Sequence, residues 1–282
     1  MHKKTQLWTW VVLSLLVLGF MASKPVGRLI RQARETLRTE RYLRVENGSL
    51  LYSRQSFGRA PEVKVLKKIK SSALTARFTG KEIEINFNGK EFRRASLTQT
   101  MIVSSLNRAL YFTELETLPP DSKGRAMAGF RLWQWTESGG FESMTPSGIS
   151  SGSPRLSVDE KSLLVQEYGM GVPDGLRIYD LKTKQSKFIP FGKQTANTDA
   201  LVDSDTFLVA TMEPNGNGEP LRRIYKTQLA SGKSERLLPG RDIERAVAFD
   251  GAIWALIKAG ESYEVCRLSP ELDDVDEAIK VN

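Results

Sequence analysis

One segment of the chain, Ser153–Phe191, contains four short runs of apolar or alternating residues separated by polar turns. Three of these runs are Leu163–Val165, Leu176–Leu181 and Lys187–Phe191, and a Gly/Pro/Asp loop at Gly169–Gly175 divides the first two. Four short strands within about forty residues are typical of one blade of a β-propeller. This segment therefore limits the fold more than any other part of the sequence.

The same unit recurs along the chain. When the second run of each unit is aligned, Leu110, Leu164, Leu208 and Trp254 fall at intervals of 54, 44 and 46 residues. Repetition at a nearly fixed period is typical of a radial array, whereas a sandwich of unrelated hairpins has no reason to keep it. We predict an all-β fold, a β-propeller of about five four-stranded blades over residues 49–282.

The first unit of the array, residues 49–95, is irregular because it contains five candidate strands. Within it, Asn88-Gly89 separates Lys81–Phe87 from Lys90–Ala95. An Asn-Gly pair between two alternating runs is the strongest local signal for a β-hairpin. We predict a hairpin there.

Two segments carry a resemblance to a known family. Ser153–Lys161 has the pattern Ser-Pro-x-x-Ser-x-Asp-x-Lys and leads to Ile178-Tyr179-Asp180-Leu181, while Ile224-Tyr225 and Ser231-Gly232-Lys233 repeat the second half. With these residues the chain resembles the TolB-type, WD-repeat-like β-propellers, although Val158-Asp159-Glu160 stands where the family has Pro-Asp-Gly. The resemblance implies a scaffold that binds other proteins, and it brings no catalytic residues.

The N-terminal segment, residues 1–25, is apolar from Leu7 to Ala22 after a basic head. Trp8 and Trp10 lie at one border, where an aromatic belt anchors a spanning helix. We predict an uncleaved signal anchor with a transmembrane helix, and a cleaved signal peptide or a buried core helix are the alternatives. The larger positive charge after the apolar segment favours a cytoplasmic propeller, whereas the basic head favours export of the chain beyond that segment. We expect a single-pass membrane protein with an extracytoplasmic propeller, and the cytoplasmic side is the alternative.

Residues 26–48 are predicted as a short basic helical stalk, since apolar residues recur there at roughly helical spacing after Pro25. The stalk is either solvated or lies on anionic lipid head groups. The candidate membrane-surface residues are Arg28, Arg31, Arg34, Arg38 and Arg41.

Composition excludes several classes of active site. The chain has one histidine, His2, and one cysteine, Cys266, so a His-based triad, a His-ligated metal and an intramolecular disulfide are excluded. We expect no cofactor and no metal. The net charge of +8 suggests anionic surroundings, and anionic lipid is favoured over nucleic acid because the charge is spread thinly outside the stalk.

The candidate binding surface is formed by the loops Leu118–Gly129, Gly169–Gly175 and Glu213–Pro220, which join second to third strands and so share one side of the ring. Trp133 and Trp135 lie two apart on a strand and therefore on one face; they are either a binding platform or packing between blades. The candidate partner-binding residues are Trp133, Trp135, Asp174, Glu213, Asn215 and Asn217.

Taken together, these features predict a non-catalytic, membrane-anchored propeller that binds a protein partner. The alternative is a propeller hydrolase acting on carbohydrate, which needs two facing carboxylates. The loop acids available for that role stand in no recognisable spacing: Asp174, Asp199, Asp203, Asp205 and Glu213.

Overall fold

The computed structural model describes residues 39–281 except 47, 57–58, 70–72, 105, 119, 121–123, 125–126, 147–148, 170–171, 191–197 and 215–219. The chain divides into two compact units. The first combines Met1–Arg41 with Ser53–Val63, and the second combines Tyr42–Tyr52 with Lys64–Asn282. In the first unit the Thr39 and Ser56 hydroxyls lie 3.3 Å apart. The described residues from Lys64 onward belong to the second unit.

Six antiparallel sheets account for the strands of the described residues, and they are the blades of a β-propeller. The first two blades have three strands each, in the orders β1-β2-β3 and β4-β5-β6. Their bounds are β1 Glu40–Glu46, β2 Ser49–Gln55, β3 Glu62–Lys68, β4 Leu74–Phe78, β5 Glu82–Phe87 and β6 Lys90–Ala95.

Blades 3 and 4 come next in the chain. Blade 3 has the order β10-β9-β8-β7, with β7 Thr98–Ser104, β8 Ala109–Leu118, β9 Met127–Thr136 and β10 Gly140–Ser143. In blade 4 the first strand is broken into two pieces that both pair with the second strand. The strands of blade 4 are β11 Ile149–Ser151, β12 Arg155–Leu156, β13 Ser162–Gly169, β14 Val172–Asp180 and β15 Ser186–Pro190.

Blades 5 and 6 are four-stranded meanders, in the orders β16-β17-β18-β19 and β20-β21-β22-β23. Blade 5 contains β16 Thr198–Leu201, β17 Thr206–Pro214, β18 Pro220–Gln228 and β19 Ser234–Arg236. Blade 6 contains β20 Asp242–Phe249, β21 Ala252–Ala259, β22 Ser262–Leu268 and β23 Val275–Val281.

The repeat seen in the sequence corresponds to the second strands of blades 3 to 6. Leu110, Leu164, Leu208 and Trp254 lie in β8, β13, β17 and β21, and each is at most 2 % exposed. The predicted hairpin is also confirmed: Phe87 pairs with Lys90, and Asn88 and Gly89 have φ values of 51° and 81°. Both positive angles are those of the two-residue hairpin turn that Asn-Gly favours.

The core lies between neighbouring blades. Among the described residues, five apolar clusters join blades 2 and 3, 3 and 4, 4 and 5, 5 and 6, and 6 and 1. The last cluster packs Leu43, Leu50 and Tyr52 of blade 1 against Trp254 and Val265 of blade 6. The ring is therefore closed by side chains, because the first and last sheets share no strand in the described part of the chain.

Two predictions about the N-terminal part need correction. The ring has six blades, not five, because residues 49–95 hold parts of two sheets. Residues 40–46 are a strand of the first blade and not the end of a helical stalk: Arg41, Leu43 and Val45 alternate with their neighbours, and Leu43 is 5 % exposed. A period of two places alternate side chains on opposite faces, which overrides the weak helical spacing.

The rest of the predicted anchor and stalk, residues 1–38, lies outside the described residues, including Arg28, Arg31, Arg34 and Arg38. Across the part of the chain that the structure describes, no helix has the length and apolar character needed to span a membrane. The membrane location stays a prediction.

Candidate functional site

The first strands of blades 3 to 6 all have an interruption or a shift in their pairing with the second strands. In blade 5, Thr198 pairs with Val209 and Ala200 pairs with Leu208, which leaves Asp199 as the extra residue of a bulge. A bulge bends its strand and redirects a side chain. Because of the bulge, the Asp199 side chain does not have to follow the alternation of faces along β16.

Blades 4 and 6 are interrupted at the same end. In β20 the pairing shifts between Ile243 and Arg245, so Glu244 is the extra residue there. In blade 4 the first strand stops at Ser151 and resumes at Arg155. Because the first strands of these blades are neighbours, their irregular starts bring charged residues from three blades together.

Three arginines surround the Asp199 carboxyl. Arg155 comes from β12, Arg222 from the start of β18 and Arg245 from β20, and each acts electrostatically on Asp199. Arg222 Nη2 donates to Asp199 Oδ1, and the amide of Ala246 donates to Asp199 Oδ2 at 3.3 Å. We call Arg155, Asp199, Arg222 and Arg245 the arginine cluster.

Two guanidinium nitrogens of the arginine cluster are buried and have no hydrogen-bond partner among the residues that the structure describes, namely Nη1 of Arg155 and Nε of Arg222. The Asp199 side chain is 10 % exposed and that of Arg222 is 24 % exposed. A buried donor without an acceptor costs about 1–3 kcal/mol, and more when it is charged. The arginine cluster therefore contains two buried hydrogen-bond donors that are available to an acceptor on a ligand.

Burial shifts the pKa values of the arginine cluster. It raises the pKa of the Asp199 carboxyl above its ordinary value, and the three nearby arginines only partly oppose this. It lowers the pKa of Arg155 and of Arg222, which Asp199 counteracts. For all three groups, burial outweighs the pairing that the protein itself provides.

The charge of the arginine cluster is unbalanced. Three guanidinium groups against one carboxylate leave a surplus of two positive charges. Glu244 also acts on Arg222, and it accepts a hydrogen bond of 3.0 Å from the Tyr263 hydroxyl. Even with Glu244 counted, one positive charge remains. Such a site attracts an anion, and planar guanidinium donors match a carboxylate.

The predicted tryptophan pair lies elsewhere, between blades 2 and 3. Trp135 is 1 % exposed and contacts the rings of Phe87 and Phe92 at centroid distances of 6.1 and 5.0 Å. Trp133 is half-buried beneath the guanidinium of Arg94, 4.0 Å from the ring centroid. Packing between blades is the role that this burial shows for Trp135.

The other predicted partner-binding residues are dispersed. Asp174 is exposed in β14, and Glu213 is half-buried in β17, where its Oε1 accepts a hydrogen bond from the Tyr225 hydroxyl. Asn215 and Asn217 lie outside the described residues. The structure does not bring Asp174 and Glu213 together with the tryptophans.

Of the loop acids, Asp199 alone belongs to the arginine cluster. Asp203 Oδ1 accepts the amides of Asp205 and Thr206, both at 2.8 Å, and Asp205 Oδ1 accepts the amide of Ala230 at 3.0 Å. These two acids stabilise turns. In the described residues, no group of three or more His, Cys, Asp or Glu side chains is placed to hold a metal ion.

The arginines of the arginine cluster were not predicted from the sequence, although two of them occupy a position of the repeat. Arg155, Asp199 and Arg245 each stand nine residues before the aligned position of their blade, Leu164, Leu208 or Trp254. Extending the alignment of the second strands back to the first strands would have placed three charged residues at one position of three successive blades.

Comparisons with known proteins bear on the fold. No protein-family model matches the chain, and no curated protein matches it either. Solved structures do match. The tricorn protease has a TM-score of 0.48 at 10 % identity, over 86 % of this chain and 30 % of that chain. A puromycin-hydrolyzing peptidase of Mycobacterium tuberculosis has a TM-score of 0.47 at 11 % identity, over 86 % of this chain and 47 % of that chain.

Oligopeptidase B from Trypanosoma brucei has a TM-score of 0.44 at 12 % identity, over 92 % of this chain and 44 % of that chain. This chain spans less than half the length of each of the three structures. At such identities the likeness concerns the fold alone.

These comparisons correct the predicted function. The similar chains are named as peptidases, which are hydrolytic enzymes, so the prediction of a non-catalytic protein binder is wrong by this finding, whereas its membrane anchor stays a prediction. The ligand chemistry has to be taken from the residues of the arginine cluster.

Proposed function

We propose that this propeller binds a ligand through a carboxylate at the arginine cluster. The observation that supports the proposal most directly is the buried Nη1 of Arg155, which has no hydrogen-bond partner among the described residues and belongs to a group of unbalanced positive charges. Nε of Arg222 is a second such donor. A carboxylate would supply acceptors for both nitrogens and would offset the surplus charge.

The position of the arginine cluster suits ligand binding. Its residues come from β12, β16, β18 and β20, so three neighbouring blades contribute to it. A cluster built from three blades is rigid, since each contributing strand is hydrogen-bonded within its own sheet. Preorganised charged donors lose little entropy when a ligand binds.

Titration calorimetry with acetate and with N-acetylalanine tests the proposal. We expect Arg155→Met and Arg222→Met each to weaken binding at least tenfold, because a hydrogen bond to a charged group contributes about 1.5–3 kcal/mol. Arg94→Met is the matched control: its side chain is also 24 % exposed, but it is paired with Glu114 at 2.6 Å. Equal affinity in the wild type and both cluster variants would refute the proposal.

We further propose that the ring is of the TolB type. Its support is the Asp turn of blade 4, where the Ser157 hydroxyl donates to Asp159 Oδ1 at 2.7 Å and Asp159 Oδ1 accepts the Lys161 amide at 3.1 Å. This network explains why the pattern needs Ser and Asp at that spacing. An alignment of homologues in which Ser157 and Asp159 vary freely would count against TolB membership.

A further inference from the structure

Two large apolar side chains beside the arginine cluster are exposed. Tyr168 is 41 % exposed and Met212 is 58 % exposed. Met212 is the direct cross-strand partner of Arg222, so the two side chains emerge on the same face of blade 5. Tyr168 lies near enough to act electrostatically on Arg155. We call Tyr168 and Met212 the apolar rim.

The two residues of the apolar rim occupy one position of the repeat. Each stands four residues after the aligned position of its second strand, Leu164 or Leu208. In blade 6 the same position holds Lys258, which is exposed. The apolar side chains thus occur in blades 4 and 5, which supply Arg155, Asp199 and Arg222.

The faces of the strands support a shared site. Arg155 pairs directly with Leu164, and Leu164 and Tyr168 are four residues apart on β13. Side chains two or four apart on a strand share a face, and so do direct partners. Arg155 and Tyr168 therefore lie on the same face of blade 4, where Leu164 packs towards blade 5.

We propose that the arginine cluster and the apolar rim together select carboxylates that carry an apolar group next to the charge. This inference rests on the proposed function, because the carboxylate is what the arginine cluster would hold. The charged end is bound by Arg155 and Arg222, and the apolar group covers Tyr168 and Met212. Two kinds of ligand share this chemistry, small aromatic or aliphatic acids and peptides with an apolar C-terminal residue.

Affinities of acetate, 3-phenylpropionate and N-acetyl-Ala-Phe for the full chain test the inference. A phenyl group that buries about 60–80 Å² of apolar surface at roughly 25 cal/mol per Å² gains about ten- to thirtyfold in affinity. We expect 3-phenylpropionate to bind about ten- to thirtyfold tighter than acetate to the wild type. The variant Tyr168→Ala/Met212→Ala should lose this preference and keep its affinity for acetate.

Leu115→Ala is the matched control. Leu115 is also an exposed apolar residue near the end of a second strand, 40 % exposed in blade 3, away from the blades that carry the arginine cluster. It should change neither affinity. Tyr168→Gln/Met212→Gln, which keeps the side-chain length, provides a second variant should the alanine variant fail to fold.

The outcomes separate the inference from the proposed function. If acetate does not bind to the wild type, the proposed function fails. If acetate binds but 3-phenylpropionate binds no tighter, or if the preference survives in both rim variants, the selection by the apolar rim is overturned while the carboxylate site stands. If 3-phenylpropionate does bind more tightly than acetate, the peptide probe identifies the kind of ligand. Tighter binding of N-acetyl-Ala-Phe than of 3-phenylpropionate indicates that the ligand is a peptide, and equal binding indicates a small acid.

Discussion

Blade 4 contains two arginines that are held in opposite ways. Arg177 Nε donates to both carboxylate oxygens of Glu167 at 2.8 Å, and its Nη1 donates to Ser186 at 3.2 Å. Arg155 has a buried Nη1 with no hydrogen-bond partner in the described part of the chain, and it shares Asp199 with two other arginines. The Nε and Nη1 donors of Arg177 both have acceptors within the protein, whereas the Nη1 donor of Arg155 has none among the described residues.

The difference teaches how to separate structural charges from functional ones in this ring. Arg177 and Arg222 have the same side-chain exposure, 24 %, and each is paired with a carboxylate that is at most 10 % exposed. Exposure therefore does not distinguish them. What distinguishes them is the balance of charges and donors around the carboxylate, which is one to one at Glu167 and three to one at Asp199.

The largest effect on stability is expected from breaking the buried ion pair between Arg177 and Glu167. Arg177→Met leaves the Glu167 carboxylate, 3 % exposed, without its cation, which should lower the free energy of unfolding by about 3 kcal/mol. Urea denaturation followed by tryptophan fluorescence measures this change. A loss below about 1 kcal/mol would mean that the pair is not structural.

Asp199→Asn should strengthen anion binding about tenfold at pH 7, because it removes the one carboxylate that competes with the ligand for the arginines. Burial raises the pKa of Asp199, so the wild type should bind more tightly as the pH falls through that raised value and the carboxyl becomes neutral. The variant should lack this dependence. The probe is 3-phenylpropanesulfonate, which stays charged throughout; weaker binding by the variant would contradict the assignment.

Arg155→Met should change the free energy of unfolding in the opposite direction to Arg177→Met. Removing a buried guanidinium that has an unsatisfied donor, and that shares its carboxylate with two other arginines, should raise the free energy of unfolding by about 1 kcal/mol in buffer free of carboxylates. The same denaturation experiment measures it. A destabilisation as large as that of Arg177→Met would show that Arg155 supports the fold in the way Arg177 does.

The smallest effect is expected from an ion pair that is complete but exposed. Lys67 Nζ and Glu277 Oε2 are 2.7 Å apart, with side chains 35 % and 42 % exposed. Glu277→Gln should change the free energy of unfolding by about 0.5 kcal/mol or less, since water replaces much of the lost interaction. A change above about 2 kcal/mol would mean that pairing matters in this protein irrespective of burial.

The fold was largely predictable because the second strands carry a buried residue at a regular interval. Leu110, Leu164, Leu208 and Trp254 had to be apolar for one physical reason, burial between blades, and the pattern survives in the sequence. The number of blades was not predictable in the same way. The three-stranded blades 1 and 2 lack the four-run pattern, and the arginines around Leu43 conceal the alternation of β1.

The candidate site was less predictable because its residues belong together only in three dimensions. Arg155 and Arg245 each look like an ordinary charged residue at a strand start, and a bulge such as that at Asp199 leaves no mark in the residue types. Arg222 comes from a third strand and follows no repeat position shared with the others. Trp135 drew attention as a large aromatic residue, yet its size serves the core.

The closure of the ring by side chains has a consequence for synthesis. Leu43, Leu50 and Tyr52 pack against residues of the last blade, and the Lys67–Glu277 pair spans 210 positions of the chain. At 5–20 residues per second, the first blade waits roughly 10–40 seconds for its partner to be made. During that time the apolar face of the first blade has no sixth blade to pack against. The packing of the first blade is thus completed only after the last blade has been made.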